Sequence, residues 1–306
     1  MTETPLTRRQ ALATGTGIAL STLVGSSLPT SAKNESRLVL KKALKFSMIQ
    51  AKGVESITAR MTLAKEAGFD GVEFDNTPLD RAQIDEIKEA KADLGLEIPG
   101  LVCGSIGRKC GSLDETERKE AVGQFAQALR DSAELGGTTV LMYPGTVDAG
   151  RPYEKVQATL QQSIRELLPV AEETGVRIAC ENVWNNIFVS PIETRDFIDG
   201  FESPWVGWFF DVGNVVRYGW PEQWIRILGP RVLKLDIKEF DRDLMMNEGL
   251  RKGFTNELGQ GSVDWKAVMD AVNEIGYTGQ WGSAEVRGGD LERLKAIKSA
   301  MDAVLV

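Results

Sequence analysis

A chain without histidine must carry out acid–base chemistry near neutral pH with Asp, Glu, Lys, Tyr or Cys, and must build any metal site mainly from oxygen ligands. Four carboxylates stand out by position, because each closes a short apolar run: Glu181 after Ile178-Ala179-Cys180, Asp211 after Phe209-Phe210, Asp236 after Leu235, and Glu285 after Ser283-Ala284. Singly, such an acid is an ordinary helix N-cap or a surface ion-pair partner. If the runs are neighbouring strands, however, the four acids converge on one mouth and repel each other. A divalent cation at their focus removes that repulsion. Four carboxylates completed by water or substrate oxygens suit octahedral Mn2+ or Mg2+ better than Zn2+. Glu181, Asp211, Asp236 and Glu285 are therefore the expected ligands of one divalent ion. Asp75 and Glu239 occupy comparable places, and for them a cap or ion pair is an equal alternative.

Something must bring these acids together, and the remaining pattern supplies it. Short apolar runs at 45–50, 70–75, 97–103, 138–143, 176–181, 205–211, 231–237 and 279–285 read as strands. Amphipathic stretches near 54–67, 80–94, 114–135, 153–174, 191–201, 221–228, 263–275 and 290–304 read as helices. Gly68, Gly95, Gly136, Gly175 and Gly276 fall where helices stop and a left-handed residue is wanted. Eight strand–helix pairs in one chain predict a single (β/α)8 TIM barrel, whose active site lies at the C-terminal ends of the strands. An open doubly wound sheet would want a glycine-rich loop after its first strand, whereas Ile49-Gln50-Ala51-Lys52-Gly53 offers one glycine.

Residues 1–32 read as an export signal: Arg8-Arg9, a mild apolar run from Ala11 to Leu28, then Thr30-Ser31-Ala32 as a small-x-small cleavage pattern. The paired arginines resemble a bacterial twin-arginine signal, which predicts a periplasmic or other extracytoplasmic location. A short linker over 33–43 and a catalytic barrel over 44–306 complete the expected organisation. The formal charge is −8, and losing Arg8, Arg9 and Glu3 with the signal leaves −9. Such a surface excludes nucleic acid and anionic membranes as partners. No other segment is apolar enough to span a bilayer, so no membrane association is expected after cleavage. Cys103, Cys110 and Cys180 form no framework; free buried thiols are the expected reading, with a Cys103–Cys110 bridge as the alternative.

At the strand ends the sequence resembles the sugar phosphate isomerase/epimerase families with the xylose-isomerase-like barrel, among them ketose 3-epimerases and hydroxypyruvate isomerases. The matching stretches are Gly68-Phe69-Asp70-Gly71-Val72-Glu73, Glu181-Asn182, Asp211-Val212-Gly213-Asn214, Asp236-Ile237-Lys238-Glu239 with Arg242, Gly259-Gln260-Gly261-Ser262-Val263-Asp264-Trp265, and Glu285. The resemblance spans about residues 44–304. It implies one divalent metal on Glu181, Asp211, Asp236 and Glu285, with Glu181 and Glu285 flanking the substrate as acid and base. It also places Arg242 on substrate oxygens. Asp236 stands where the family usually has histidine, and Asn214 where a supporting histidine is common.

The activity so implied is proton transfer through an enediolate on a ketose or keto-sugar, by a metal-dependent isomerase or epimerase. The alternatives are a metal-dependent lyase on 3-keto-glycosides and a non-catalytic sugar-binding barrel. Glu73, Trp184, Asn214, Lys238 and Arg242 are the expected substrate-binding set. Trp184, Trp220 and Trp281 are expected at the mouth, where an indole can face a sugar ring or simply pack. The polar stretch Glu239–Gly261 is long enough for a lid, with a solvated loop as the alternative. The expected partner is a small carbohydrate, unphosphorylated if the protein is exported. A homo-oligomer is compatible with the sequence.

Overall fold

The computed structural model describes residues 38–75 and 77–306; the expected signal over 1–32 and residues 33–37 of the expected linker lie outside them. The chain runs β1 (Lys41–Lys45), α1 (Ile57–Glu66), β2 (Gly71–Glu73), α2 (Arg81–Leu94), β3 (Gly100–Val102), α3 (Gly104–Lys109) and α4 (Glu115–Leu135). It continues through β4 (Thr139–Met142), α5 (Tyr153–Thr174), β5 (Arg177–Glu181), α6 (Pro191–Asp199), β6 (Val206–Asp211), α7 (Val212–Val216) and α8 (Pro221–Leu228). It ends with β7 (Val232–Ile237), α9 (Arg242–Glu248), α10 (Trp265–Glu274), β8 (Trp281–Ala284) and α11 (Leu291–Val304).

All strand pairs are parallel, in the order β2-β1-β8-β7-β6-β5-β4-β3. The two ends of that sheet meet through single parallel bridges, Gly71 to Glu97 and Phe74 to Leu101, so the barrel is nearly closed. This is the expected (β/α)8 architecture. Helices cover the outer face, so strand residues are buried on both sides and read as apolar runs rather than as alternation. Inside the barrel Val102, Leu141, Ala179, Phe209 and Leu233 form a separate apolar layer, the floor beneath the mouth. The larger apolar core lies between strands and helices, and includes Phe125, Leu160, Ile164, Trp208 and Ile225.

The five glycines expected at helix ends all have φ between 61° and 90°, a region costly for a residue with a Cβ. Asp80 opens α2 with a capping box: its side chain accepts from Gln83 N, while the Gln83 side chain accepts from Asp80 N. The first strand is displaced from its expected place. β1 begins at Lys41, inside the expected linker, and Phe46–Met48 is a short 3-10 turn. Among the described residues no helix is long and apolar enough to cross a membrane.

Candidate metal centre and active site

Register does the first part of the positioning. In the β6–β7 pair Asp211 lies opposite Asp236, and Asp236 lies opposite Ser283 of β8. Glu181 closes β5, and Glu285 directly follows β8, its N–H donating to Ile237 O at 3.2 Å. One ligand oxygen from each of Glu181, Asp211, Asp236 and Glu285 lies within 4.8 Å of the others. The first three side chains are buried and Glu285 is partly exposed toward the mouth.

Asparagines fix this geometry. Asn182 accepts from Trp208 Nε1 and Asp211 N, both at 3.0 Å, and donates from Nδ2 to Asp211 O at 2.7 Å, tying the end of β5 to β6. Asp211 caps α7, its Oδ1 accepting from Asn214 N at 2.8 Å. Asn214 Nδ2 then donates to Asp211 Oδ2 at 2.7 Å and Asn182 O at 3.0 Å, with a longer approach of 3.4 Å to Glu181 Oε1. Trp184 Nε1 donates to Asn214 O at 3.0 Å.

Two buried lysines, Lys45 and Lys234, and the partly buried Lys238 face the acids. Lys238 Nζ lies 2.7 Å from Asp211 Oδ2 and 2.8 Å from Glu285 Oε1. Lys45 Nζ lies 2.7 Å from both Glu73 Oε2 and Asp236 Oδ1, and Lys234 Nζ lies 3.0 Å from Glu73 Oε1. The five carboxylates of Glu73, Glu181, Asp211, Asp236 and Glu285 thus face three ammonium groups. Fully ionised, the set retains two negative charges, the complement of one divalent cation. Asp236 Oδ1 has the Lys45 ammonium at 2.7 Å as its ion-pair partner, whereas Asp236 Oδ2 and Glu181 Oε2 have no hydrogen-bond donor. Buried carboxylate oxygens without donors are costly. Their grouping among four close ligand atoms fits a divalent ion with an all-oxygen shell.

The environments of these acids differ. Burial, then the neighbouring carboxylates of Glu285, Asp236 and Asp211, push Glu181 well above the usual carboxylate range. Asp236 is also pushed well up, chiefly by burial, with Lys45 opposing. Burial raises Asp211 despite Lys238. Burial would raise Glu285 too, but the Lys238 and Lys45 ammonium groups outweigh it and hold the carboxyl down. Lys238 is itself held well above the lysine range, because Asp211 and Glu285 outweigh its desolvation.

A cavity of about 470 Å³ opens over the cluster, within the range of small-molecule clefts. Trp184, Asn214, Lys238 and Glu285 line it, together with Tyr143, Arg108 and Arg251. A smaller one of about 230 Å³ adjoins it, lined in part by Lys45, Asp75, Tyr143 and Glu285. Trp184 packs tilted against Phe254, ring centres 4.9 Å apart, and has the Arg217 guanidinium over its ring. Asp75 accepts from Ser47 N at 2.9 Å and from Ser47 Oγ.

Other expected members lie elsewhere. Glu73 is fully buried between Lys45 and Lys234 and does not border the cavity. Arg242 donates to Val216 O at 2.6 Å and to Gly219 O, with its guanidinium over the exposed Trp220, because α9 turns it away from the mouth. Trp281 begins β8 and packs at the opposite end of the barrel, against Lys41 and Gly71. Glu239 is a structural anchor: it accepts from Gly259 N, Trp265 Nε1 and Phe240 N at 2.8–3.0 Å. A Cβ at Gly261 would lie 2.5 Å from that carboxylate, so only glycine fits there. The polar stretch after Glu239 contains α9 and a 3-10 turn, Leu250–Phe254, instead of an open loop. The three cysteines are buried free thiols.

Lys45, Lys234 and Tyr143 were not among the expected residues. A signal for Lys234 exists in the sequence. Lys234, Asp236 and Lys238 alternate at a period of two and so share one face of β7.

The family model described as "Xylose isomerase-like TIM barrel" matches residues 61–305. L-ribulose-5-phosphate 3-epimerase from Salmonella heidelberg (strain SL476) is 22% identical over 234 residues, covering 72% of this chain and 79% of that protein. The structure of 3-keto-D-glucoside 4-epimerase from E. coli superimposes with a TM-score of 0.71 at 19% identity, covering 87% of this chain and 99% of the other. That of the IolI protein with a binding zinc atom gives 0.72 at 17% identity, covering 87% and 98%. At these identities the structural likeness establishes the fold.

Proposed function

This chain belongs to the xylose isomerase-like TIM barrel family, and from that premise we propose that it is a divalent-metal-dependent sugar isomerase or epimerase. It acts by proton transfer beside the carbonyl of a ketose or keto-sugar. The observation that carries this reading is the convergence of four carboxylates within 4.8 Å, two of their buried oxygens, Glu181 Oε2 and Asp236 Oδ2, lacking any hydrogen-bond donor. The names of the epimerase relatives support the same substrate class.

Glu181, Asp211, Asp236 and Glu285 hold the metal in this reading, Mn2+ or Mg2+ by the chemistry of the donors; bound there, it polarises the substrate carbonyl and stabilises the adjoining negative charge. The protein supplies the proton transfers. Two carboxyls whose environments separate their proton affinities are suited to opposite roles. Glu285, partly exposed at the mouth and with the Lys45 ammonium also lowering its proton affinity, takes the proton from the carbon beside the carbonyl. Glu181, whose proton affinity burial among other acids raises, returns one to the opposite face or the neighbouring carbon. Both actions pass through an enediolate. Asn214 keeps Glu181 and Asp211 in register, and Trp184 offers an apolar wall to the sugar.

With the twin-arginine signal proposed for residues 1–32, the protein works outside the cytoplasm on an unphosphorylated sugar. The test is hydrogen loss: Mn2+-loaded protein in D2O, given a panel of ketoses and 3-keto-glucosides, should exchange one carbon-bound hydrogen in an NMR spectrum. No exchange with any member, in protein shown to hold metal, contradicts the catalytic reading.

A further inference from the structure

Lys238 sits where the cluster would receive a cation. Asp211 Oδ2 accepts from Asn214 Nδ2 at 2.7 Å and faces Lys238 Nζ at the same distance, while Asp211 Oδ1 accepts from Asn214 N. That leaves little of Oδ2 for a further cation while the ammonium stays. Glu285 Oε1 is likewise engaged by Lys238 at 2.8 Å. Lys238 therefore engages two of the four ligand residues and Lys45 a third, through Asp236 Oδ1 at 2.7 Å, while Glu181 Oε2 and Asp236 Oδ2 have no hydrogen-bond donor.

The surroundings give the side chain somewhere else to go, but not the backbone. A Cβ on Gly213 would lie 2.8 Å from Lys238 O, so α7 presses directly on the end of β7. The next residue, Glu239, is anchored by backbone and indole donors. The Lys238 side chain, in contrast, borders the cavity of about 470 Å³, and its ammonium already lies 5.6 Å from the centre of the Phe254 ring. Aromatic faces attract ammonium groups at such range. Lys45 has no such freedom, being buried and held by Glu73 and Asp236.

We propose that Lys238 is a displaceable internal cation: it holds Asp211 and Glu285 in place until a divalent ion takes their oxygens, and is then expelled into the cavity, where it faces the substrate. The proposal rests on reading the acid cluster as a metal site. It adds an order to binding, metal before sugar, because only an expelled Lys238 presents a free ammonium to substrate oxygens.

The test needs no turnover. Protein stripped with EDTA and dialysed is titrated with MnCl2 by calorimetry. In parallel it is treated with an amine-acetylating reagent, and labelling of each lysine is followed by mass spectrometry. The result expected is faster labelling of Lys238 as Mn2+ saturates, with Lys45 and Lys234 protected throughout. Lys238→Met should bind Mn2+ about tenfold more tightly, about 1.4 kcal/mol. It should also melt below wild type without metal, with the gap closing at saturation. Saturable Mn2+ binding with unchanged or slower labelling of Lys238, or no gain in affinity in a folded Lys238→Met protein, overturns this inference alone. Failure of both proteins to bind Mn2+ overturns the metal reading and this inference with it. Should the variant not fold, the wild-type labelling decides.

Discussion

Replacing Glu73 by Gln removes the charge that neutralises the two lysines inside the barrel. Glu73 is fully buried, with Lys45 Nζ at 2.7 Å and Lys234 Nζ at 3.0 Å. Lys45 keeps Asp236 as a partner, but Lys234 would keep only Pro99 O, at 2.7 Å. Breaking one side of a buried pair typically costs about 3–5 kcal/mol. An upper limit comes from the lysine's alternative of losing its proton: from a free value of about 10.4 to pH 7 this costs about 5 kcal/mol, at 1.36 per unit. Burial already lowers Lys234, so the actual cost falls below that limit. At about 2–4 °C per kcal/mol, Glu73→Gln should lower Tm by about 6–20 °C in calorimetry or circular dichroism. Adding Lys234→Met should recover part of the loss, since no uncompensated charge then remains. The pH dependence has a definite sign. Burial alone would raise Glu73, but the two ammonium groups outweigh it and depress its folded-state pKa. Its stabilisation is thus complete above the unfolded carboxylate value, about 4.3, and is lost as pH falls through the lower folded value. A Tm loss under about 2 °C, which corresponds to less than about 1 kcal/mol, would refute the assignment of Glu73 as a buried counter-ion.

The other outcomes follow from the site. Glu181→Gln and Glu285→Gln should each lower hydrogen exchange from substrate into D2O by at least about a hundredfold, the usual contribution of a general acid or base; exchange near wild type in either would remove that residue from the mechanism. Trp184→Ala should raise KM with a smaller change in kcat, because the indole borders the cavity and does not reach the reacting carboxyls by any hydrogen bond of its own. A purely catalytic loss at constant KM would count against a wall. Arg8→Lys with Arg9→Lys should hold the protein in the cytoplasm on cell fractionation, and unchanged export would dismiss the twin-arginine reading.

The barrel was largely legible, because parallel strands covered on both faces leave apolar runs and glycine marks the helix ends. The first strand was not, for an electrostatic reason. Lys41–Lys45 contains three lysines and does not look like a strand. Lys41 and Lys42 direct their charges outward to Glu97 and Asp302, and Lys45 is neutralised inside the barrel. The neighbouring Phe46–Met48 has the better strand composition but forms a turn. The acids that the structure gathers were visible because each lies at or beside the C-terminal end of a strand. The direction of a side chain leaving a short helix was not visible: Arg242 opens α9 and binds the carbonyls of Val216, the last residue of α7, and Gly219 just beyond it, which spacing along the chain does not reveal. Trp281 opens β8, and the N-terminal end of a parallel barrel strand lies on the side away from the mouth.

Metal content is the most direct test of the central claim. Plasma mass spectrometry of the purified wild-type protein after exposure to Mn2+ and desalting should find about one ion per chain, and Asp236→Ala, folded by circular dichroism, should retain far less. A wild-type protein that takes up no stoichiometric divalent metal, or an Asp236→Ala variant that binds it equally well, would contradict the account.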